Sequence, residues 1–414
     1  MRNGASVDLD DARTIGRRVR QIRKSRRKPL PVVAGLAGMS KSKLDRIERG
    51  EVALDKLSDI VALADVLQIA PSELMRLPVP APANGDTDST IEAVRRAMEA
   101  VDQGLPGGLV LPVDVLADRV DQVYEMRRQC QFRQAGAALP SLIRDLHTSI
   151  AAGRDLTTLL PLTAMAHVHL THMWLRDAGA PPDLRRQAVA LARTAAREHG
   201  EVTTLAIATY GTVYALIGSG MFDLARAKLD SLTLPAVTRG TAGVVGELMM
   251  AHSLVAAFDR RPGDVAAPME TAAELAGRFG EATRTHDEFG FAFGPTAVGL
   301  YRMDLALEAN EPDRALSIAA DVHPEQHPWA TRQAAYWVHC GRALARVRGR
   351  RDEAVMAFHR AETISPHHVH RNPMVRDVIA TLLPGARGDA IGKELRRMAH
   401  RAGLPGWPGW TAVP

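Results

Sequence analysis

Cysteine is nearly absent. Cys130 and Cys340 are the only two in 414 residues, too few for a disulfide framework or a cysteine-based zinc site, and suited to a reducing compartment. Aromatic residues make up only 4% of the chain, while alanine is abundant. Strands favour aromatic and β-branched side chains, so this balance argues against an all-β fold and for helices. No run of 18 apolar residues occurs, and the opening residues carry charge without an apolar stretch of signal-peptide length. A soluble, cytoplasmic chain with no membrane partner is expected. Also missing are a glycine-rich phosphate loop, a nucleophile elbow and a zinc-protease helix, so no enzyme and no cofactor are expected.

What is present is charge concentrated in one place. Residues 1–77 hold 16 Lys and Arg against 10 Asp and Glu, which leaves 36 against 37 for the remainder. Nine basic residues and no acidic one lie between Arg13 and Lys28. Such a run is either a polyanion footprint or a solvated helix face. Asp8 to Ser25 reads as a helix, with Asp8, Asp10 and Asp11 near its positive end and Ala12, Ile15, Val19 and Ile22 on one face. After Pro29 and Pro31 come a short apolar piece from Val32 to Ala37, the turn Gly38-Met39-Ser40, and a second short helix over Lys41 to Gly50. Two short helices joined by a glycine-containing turn form the helix-turn-helix arrangement.

Within it, Ser40 is a natural N-cap for the N–H of Ser42 or Lys43, and Leu44 and Ile47 share the inward face. Ser42, Lys43 and Arg46 then face outward, flanked by Lys41 and Asp45. Lysines in a first turn oppose the helix dipole unless they meet phosphates or base edges. Arg46 suits a bidentate contact to guanine O6 and N7, its ordinary alternative being a salt bridge to Glu48 or Asp45.

Ala34, Gly38, Ser40, Ile47 and Glu48-Arg49-Gly50, followed by Leu57, Ile60, Leu63-Ala64, Leu67, Ile69 and Glu73-Leu74, make the stretch from Ile15 to about Leu77 resemble the XRE, lambda-repressor-like (Cro/C1-type) family. The resemblance implies that the helix opening at Ser40 reads bases through Lys41, Ser42, Lys43 and Arg46, and that Glu48 and Gly50 are structural. The chain departs from the family at Pro29 and Leu30, where Thr-Gln is common, and at Asp45, where a small polar residue is usual.

Pro78 to Asp86 is rich in Pro, then in Gly and Asp, a spacer between domains, with a helix expected from Ile91 to Asp102. The expected plan is therefore a head at 1–77, a linker and connecting helix at 78–112, a body at 113–402 and a tail at 403–414. From Val113 onward, helical patterns alternate with short breaks in units of roughly 34–42 residues, the period of helical solenoids. The best unit is Trp337, Gly341, Ala343, Ala354, Phe358, Ala361 and Pro366. A second has Tyr210, Gly211, Tyr214, Ala225, Leu229 and Pro235, and a third Ala315, Ala319 and Pro324. This order resembles actinobacterial XRE regulators with a tetratricopeptide-like solenoid, comparable with peptide-sensing RRNPP regulators. Phe293-Gly294-Pro295-Thr296 and Arg360-Ala361-Glu362 share in the likeness, while Ala297 and Tyr301 stand where relatives tend to have Asn and His.

The expected fold is all-α, a lambda-repressor-like head followed by a tetratricopeptide-like α-solenoid. Tyr210, Tyr214, Phe293, Tyr301 and Arg302 are candidate ligand contacts on a concave surface, each weighed against ordinary repeat packing. His167, His169 and His172, and His367, His368 and His370, are expected to be solvated or capping rather than metal-binding. With only four asparagines available to grip a peptide backbone, a peptide effector is the weaker option. The expected function is a sequence-specific, DNA-binding transcription regulator, nucleoid-associated and homodimeric on double-stranded DNA, whose body dimerises or senses a small-molecule or peptide effector. The alternative is a protein-interaction adaptor with non-specific nucleic-acid affinity.

Overall fold

In the computed structural model, which describes residues 14–76, 85–282, 289–327 and 329–404, the first helix opens at Ile15 and not at the expected Asp8. Thr14 is extended (φ −129°, ψ 156°), and its hydroxyl accepts the N–H of Arg17, so it caps helix α1 (Ile15–Ser25). Asp8, Asp10, Asp11 and Ala12 fall outside the described residues. Helices α2 (Leu30–Leu36) and α3 (Lys41–Glu48) form the helix-turn-helix, followed by α4 (Leu57–Leu67) and α5 (Pro71–Met75). Pro29 caps α2 and Pro31 sits in its first turn, where the missing N–H costs nothing.

The local pattern selects the core. Ile15 and Val19 from α1, Val33 and Ala34 from α2, Leu44 and Ile47 from α3, and Ile60, Leu63 and Leu67 from α4 are all buried. Each full aliphatic burial contributes on the order of 2 kcal/mol. Gly16 fixes how closely α1 crosses α3, because a Cβ there would lie 1.9 Å from the Ile47 carbonyl oxygen.

The expected spacer falls largely on residues 77–84, outside the described residues. The connecting helix α6 (Gly85–Asp102) opens earlier than Ile91 and packs on α8 (Phe132–Ala151), which also carries α7 (Val113–Arg128). Helix α9 (Leu156–Met165) runs into a π-helical segment, Ala166–His172, and out through α10 (Met173–Asp177). Helix pairs follow: α11 (Pro182–His199) with α12 (Val202–Ile217), α13 (Phe222–Asp230), α14 (Ala242–Phe258) with α15 (Ala266–Phe279), and α16 (Pro295–Glu308) with α17 (Pro312–Ala320). Then come α18 (Ala330–Arg346) with α19 (Arg351–Ile364), α20 (Pro366–His370), α21 (Pro373–Leu382) and α22 (Ala390–Arg401). The described residues contain no strand, so the fold is all-α.

Helices α12, α14, α16 and α18 pack on one another in succession as one layer, with α13, α15, α17 and α19 each on a neighbour as the other. The Trp337 unit shows why its glycine is needed: a Cβ on Gly341 would lie 2.7 Å from the Phe358 ring, so the glycine lets α18 and α19 close. The head does not stand apart. Its core is continuous with Val338, Val355, Phe358, Val375 and Val378 of the body.

Candidate functional site

Helix α3 is built as its residues require. Ser40 accepts the N–H of Lys43 at 3.1 Å, Leu44 and Ile47 are buried, and Lys41, Ser42 and Arg46 are exposed. The turn before it uses Gly38 at φ +70°, and the turn after it uses Gly50 at φ +73°. Glu48 is buried and takes a two-pronged contact from Arg23 at 2.6 and 2.7 Å, which holds the guanidinium above its ordinary range. Arg23 is thus a brace between α1 and α3, unlike the exposed Arg20, Lys24, Arg26 and Arg27.

Two expectations change here. Lys43 is partly exposed and is paired in this structure, its Nζ 2.6 Å from Asp59 Oδ2 on α4. Arg46 pairs with neither Glu48 nor Asp45; its nearest carboxylate is Glu51 at 3.8 Å, and both side chains stay about half exposed. Asp45 is taken instead by Arg49, at 3.2 Å.

The body approaches the head at both ends of α3. On the entry side, Arg260 donates to the Ala37 carbonyl at 3.0 Å and to Asp59 at 3.4 Å. On the exit side, Arg342 and Arg346 hold buried Asp55, Arg346 at 2.8 Å, while Glu308 accepts the N–H groups of Leu57 and Ser58 at 3.2 and 3.1 Å. Asp377 accepts the N–H groups of Ile15 and Leu54 at 2.6 and 2.7 Å. Burial pushes the Asp377 carboxyl up to about 7 against the pull of these two hydrogen bonds, and burial also raises Glu308.

In the body, the sequence candidates divide. Tyr210, Tyr214 and Tyr301 come together around fully buried Glu247, which accepts from Tyr301 at 2.7 Å, Tyr210 at 3.5 Å and Arg332 at 2.8 Å, and the Tyr214 and Tyr301 hydroxyls are in contact. Burial opposes the Arg332 charge, but Glu247 and the phenols more than offset it and hold the guanidinium above its ordinary range. Burial raises the three phenols and keeps them protonated as donors. The result is an internally satisfied network. Phe293 is buried against Gly246, and the adjacent Phe291 meets His169 and Tyr210 edge-on, so this stretch is a packed turn. Arg302 is exposed and does not join the cluster.

The histidines also differ from expectation. His167, His169 and His172 are buried along with Val168 and Leu170, because the π-helical segment passes through the middle of the body and every face of it is covered. Burial drives His169 and His172 down to about 3, so both are neutral. His368 meets Ser365 and His370 meets Glu362. His359, Glu362 and Glu394 converge, but Arg401 lies within 2.6 Å of both carboxylates and supplies the positive charge there.

A cavity of about 410 Å³ opens beside the π-helical segment. Its walls include Tyr124, Arg128, Met165, His169, Leu170 and Gly290. The Arg128 guanidinium lies over both the Tyr124 and Trp329 rings, 3.7 and 4.0 Å from their centres, and His169 Nε2 is buried without a hydrogen-bond partner. Sequence reasoning missed this site. The i,i+4 spacing of Tyr124 and Arg128 is a visible local signal, whereas their meeting with Trp329 is not.

Residues 14–77 match a family model described as a helix-turn-helix domain. No curated protein and no solved structure matches the chain. Among the described residues, no helix is long and apolar enough to cross a membrane.

Proposed function

We propose that the chain is a sequence-specific, DNA-binding transcription regulator of the XRE, lambda-repressor-like kind, acting at the nucleoid, with a tetratricopeptide-like body. One observation carries this reading. In the basic part of the chain, within a helix-turn-helix domain, a capped helix presents Lys41, Ser42 and Arg46 to solvent while its other face is locked into the core. Arg46 supplies the bidentate donor for a guanine edge, and Lys41 and Ser42 contact bases or phosphates at the helix entrance. Lys43, paired with Asp59 in this structure, supports α3 and stays exposed enough to turn to DNA. No catalytic role is assigned to any residue.

The test is selection of bound sequences from a random duplex library, followed by titration of the selected site against scrambled DNA near physiological salt. A recurring motif preferred by ~10³-fold or more supports the reading. Binding that lacks a motif and decays with salt favours the adaptor alternative. A small head binding one half-site needs a second copy for stable occupancy, so a homodimer is expected on DNA, and sedimentation of the complex reads it.

The cavity supports a small-molecule effector over a peptide, because its volume lies in the range of about 300–1,000 Å³ usual for small ligands. A ligand that raises the thermal midpoint of the wild-type chain should lose that effect with Arg128→Ala.

A further inference from the structure

The first N–H groups of a helix have no partner within it and form the positive end of the helix dipole, which makes them natural anion sites. Helix α4 is one such end in the head. Its N-cap Lys56 makes no side-chain cap, and the N–H groups of Leu57 and Ser58 are taken by Glu308 from the body. At α1, Asp377 takes the N–H of Ile15, and its second oxygen takes that of Leu54 in the loop before α4. A helix-turn-helix head on DNA uses backbone N–H groups of this sort to grip phosphates and set its register. Here both positions next to α3 are filled by carboxylates of the same molecule.

Helix α3 has eight residues, about 12 Å of axis, comparable with the ~12 Å width of a major groove. A duplex that receives α3 therefore brings a phosphate ridge up beside each end of it. The body already stands at both ends, with Arg260 at the Ala37 carbonyl and with Arg342, Arg346 and Glu308 at Asp55, Leu57 and Ser58. Asp55, Ser58 and Asp59 are consequently buried, while Lys41, Ser42 and Arg46 stay exposed. The reading edge is open and its flanks are covered.

We propose that this arrangement is a self-inhibited state: the body seats Glu308 and Asp377 on backbone N–H groups that DNA phosphates require, clamps the turn before α3 with Arg260, and so competes with duplex DNA for the head. The inference rests on the DNA-binding reading above and adds that the body opposes it. The contact is suited to release. Both carboxylates are held out of water on neutral N–H donors, so a phosphate that stays solvated on its outer side replaces them at little cost. Release then exposes the N–H groups of Leu57 and Ser58 at the moment a phosphate arrives.

The experiment uses the full chain, as wild type, Arg260→Ala and Glu308→Gln. Two quantities are read: hydrogen exchange at the Leu57 and Ser58 amides, and affinity for a labelled mixed-sequence duplex at low salt. The lock predicts faster exchange at both amides in the variants and affinity tightened by roughly tenfold, a gain that Lys41→Ala with Arg46→Ala removes. Arg260 is substantially exposed, so its variant keeps the test open if Glu308→Gln does not fold. Faster exchange with unchanged affinity overturns the lock and leaves the DNA-binding reading intact. Exposed amides with no duplex binding by any variant overturn the DNA-binding reading, and the lock with it.

Discussion

Head and body handle charge in opposite ways. The head keeps much of its positive charge outside: of the basic run in α1 and after it, Arg20, Lys24, Arg26 and Arg27 are exposed, while Arg18, Arg23 and Lys28 turn onto Glu73, Glu48 and the Val66 carbonyl. The body takes charge inside. Glu247, paired with Arg332, and the lone Asp377 are enclosed, and a row of histidines is buried neutral. The head's charge is available to an outside polyanion. The body's charge specifies which helices meet and makes the body sensitive to proton concentration.

The contrast is tested most severely by removing one partner of a buried pair on each side. Arg332→Ala leaves the Glu247 carboxylate uncompensated among phenols and should cost about 3–5 kcal/mol in denaturant unfolding. Arg23→Ala in the head removes two hydrogen bonds from buried Glu48 and should cost about 1–3 kcal/mol. Equal losses would erase the distinction. Phe358→Ala belongs with the large effects, at about 3–5 kcal/mol, because its ring fills the core that head and body share. A single unfolding transition that moves as a whole is expected; a head that melts at an unchanged midpoint would show two separate cores.

Acid comes next in size. His147, His327, His339 and His368 are held down to about 4, and His169 and His172 to about 3, in each case chiefly by burial. An unfolded histidine titrates near 6.5, so below that pH the unfolded chain binds protons that the folded one refuses. Stability is therefore lost as pH falls from about 6.5 toward 4. Asp377, raised to about 7, and the raised Glu247 and Glu308 act in the opposite sense, but the lowered histidines outnumber them. Thermal midpoints between pH 7 and pH 5 should fall, and a midpoint that rises would mean these histidines are hydrated.

The smallest effects lie on α3. Ser40→Ala removes its cap and should cost about 1 kcal/mol. Arg46→Ala should change stability by less than about 0.5 kcal/mol while weakening specific DNA binding, which separates a reading residue from a structural one.

What could be read in advance was whatever repeats locally. The Ser40 cap and the inward Leu44 and Ile47 follow from i, i+3 and i+4 neighbours, and the Gly341–Phe358 packing from the repeat pattern, so they are visible in the chain. The pairing of Lys43 is not legible because its partner, Asp59, comes from the next helix. The Asp377 contact with Ile15 joins positions 362 residues apart, and no local pattern announces it. The histidines were misread for a different reason: a π-helical turn inserts a residue into the periodicity, and a helix apolar on every side carries no face to reveal which way its polar residues point.

Helix α18 gives the body a lever. Near its start Arg332 is anchored to Glu247, and near its end Arg342 and Arg346 grip Asp55 of the head. The fourteen residue steps from Arg332 to Arg346 span about 21 Å of straight helix. Pivoting such a rod by about 5° at the Glu247 end swings its far end by roughly 2 Å, more than a hydrogen bond tolerates. A disturbance deep in the body too small to alter any helix is thus magnified, at the other end of one, into letting go of the head.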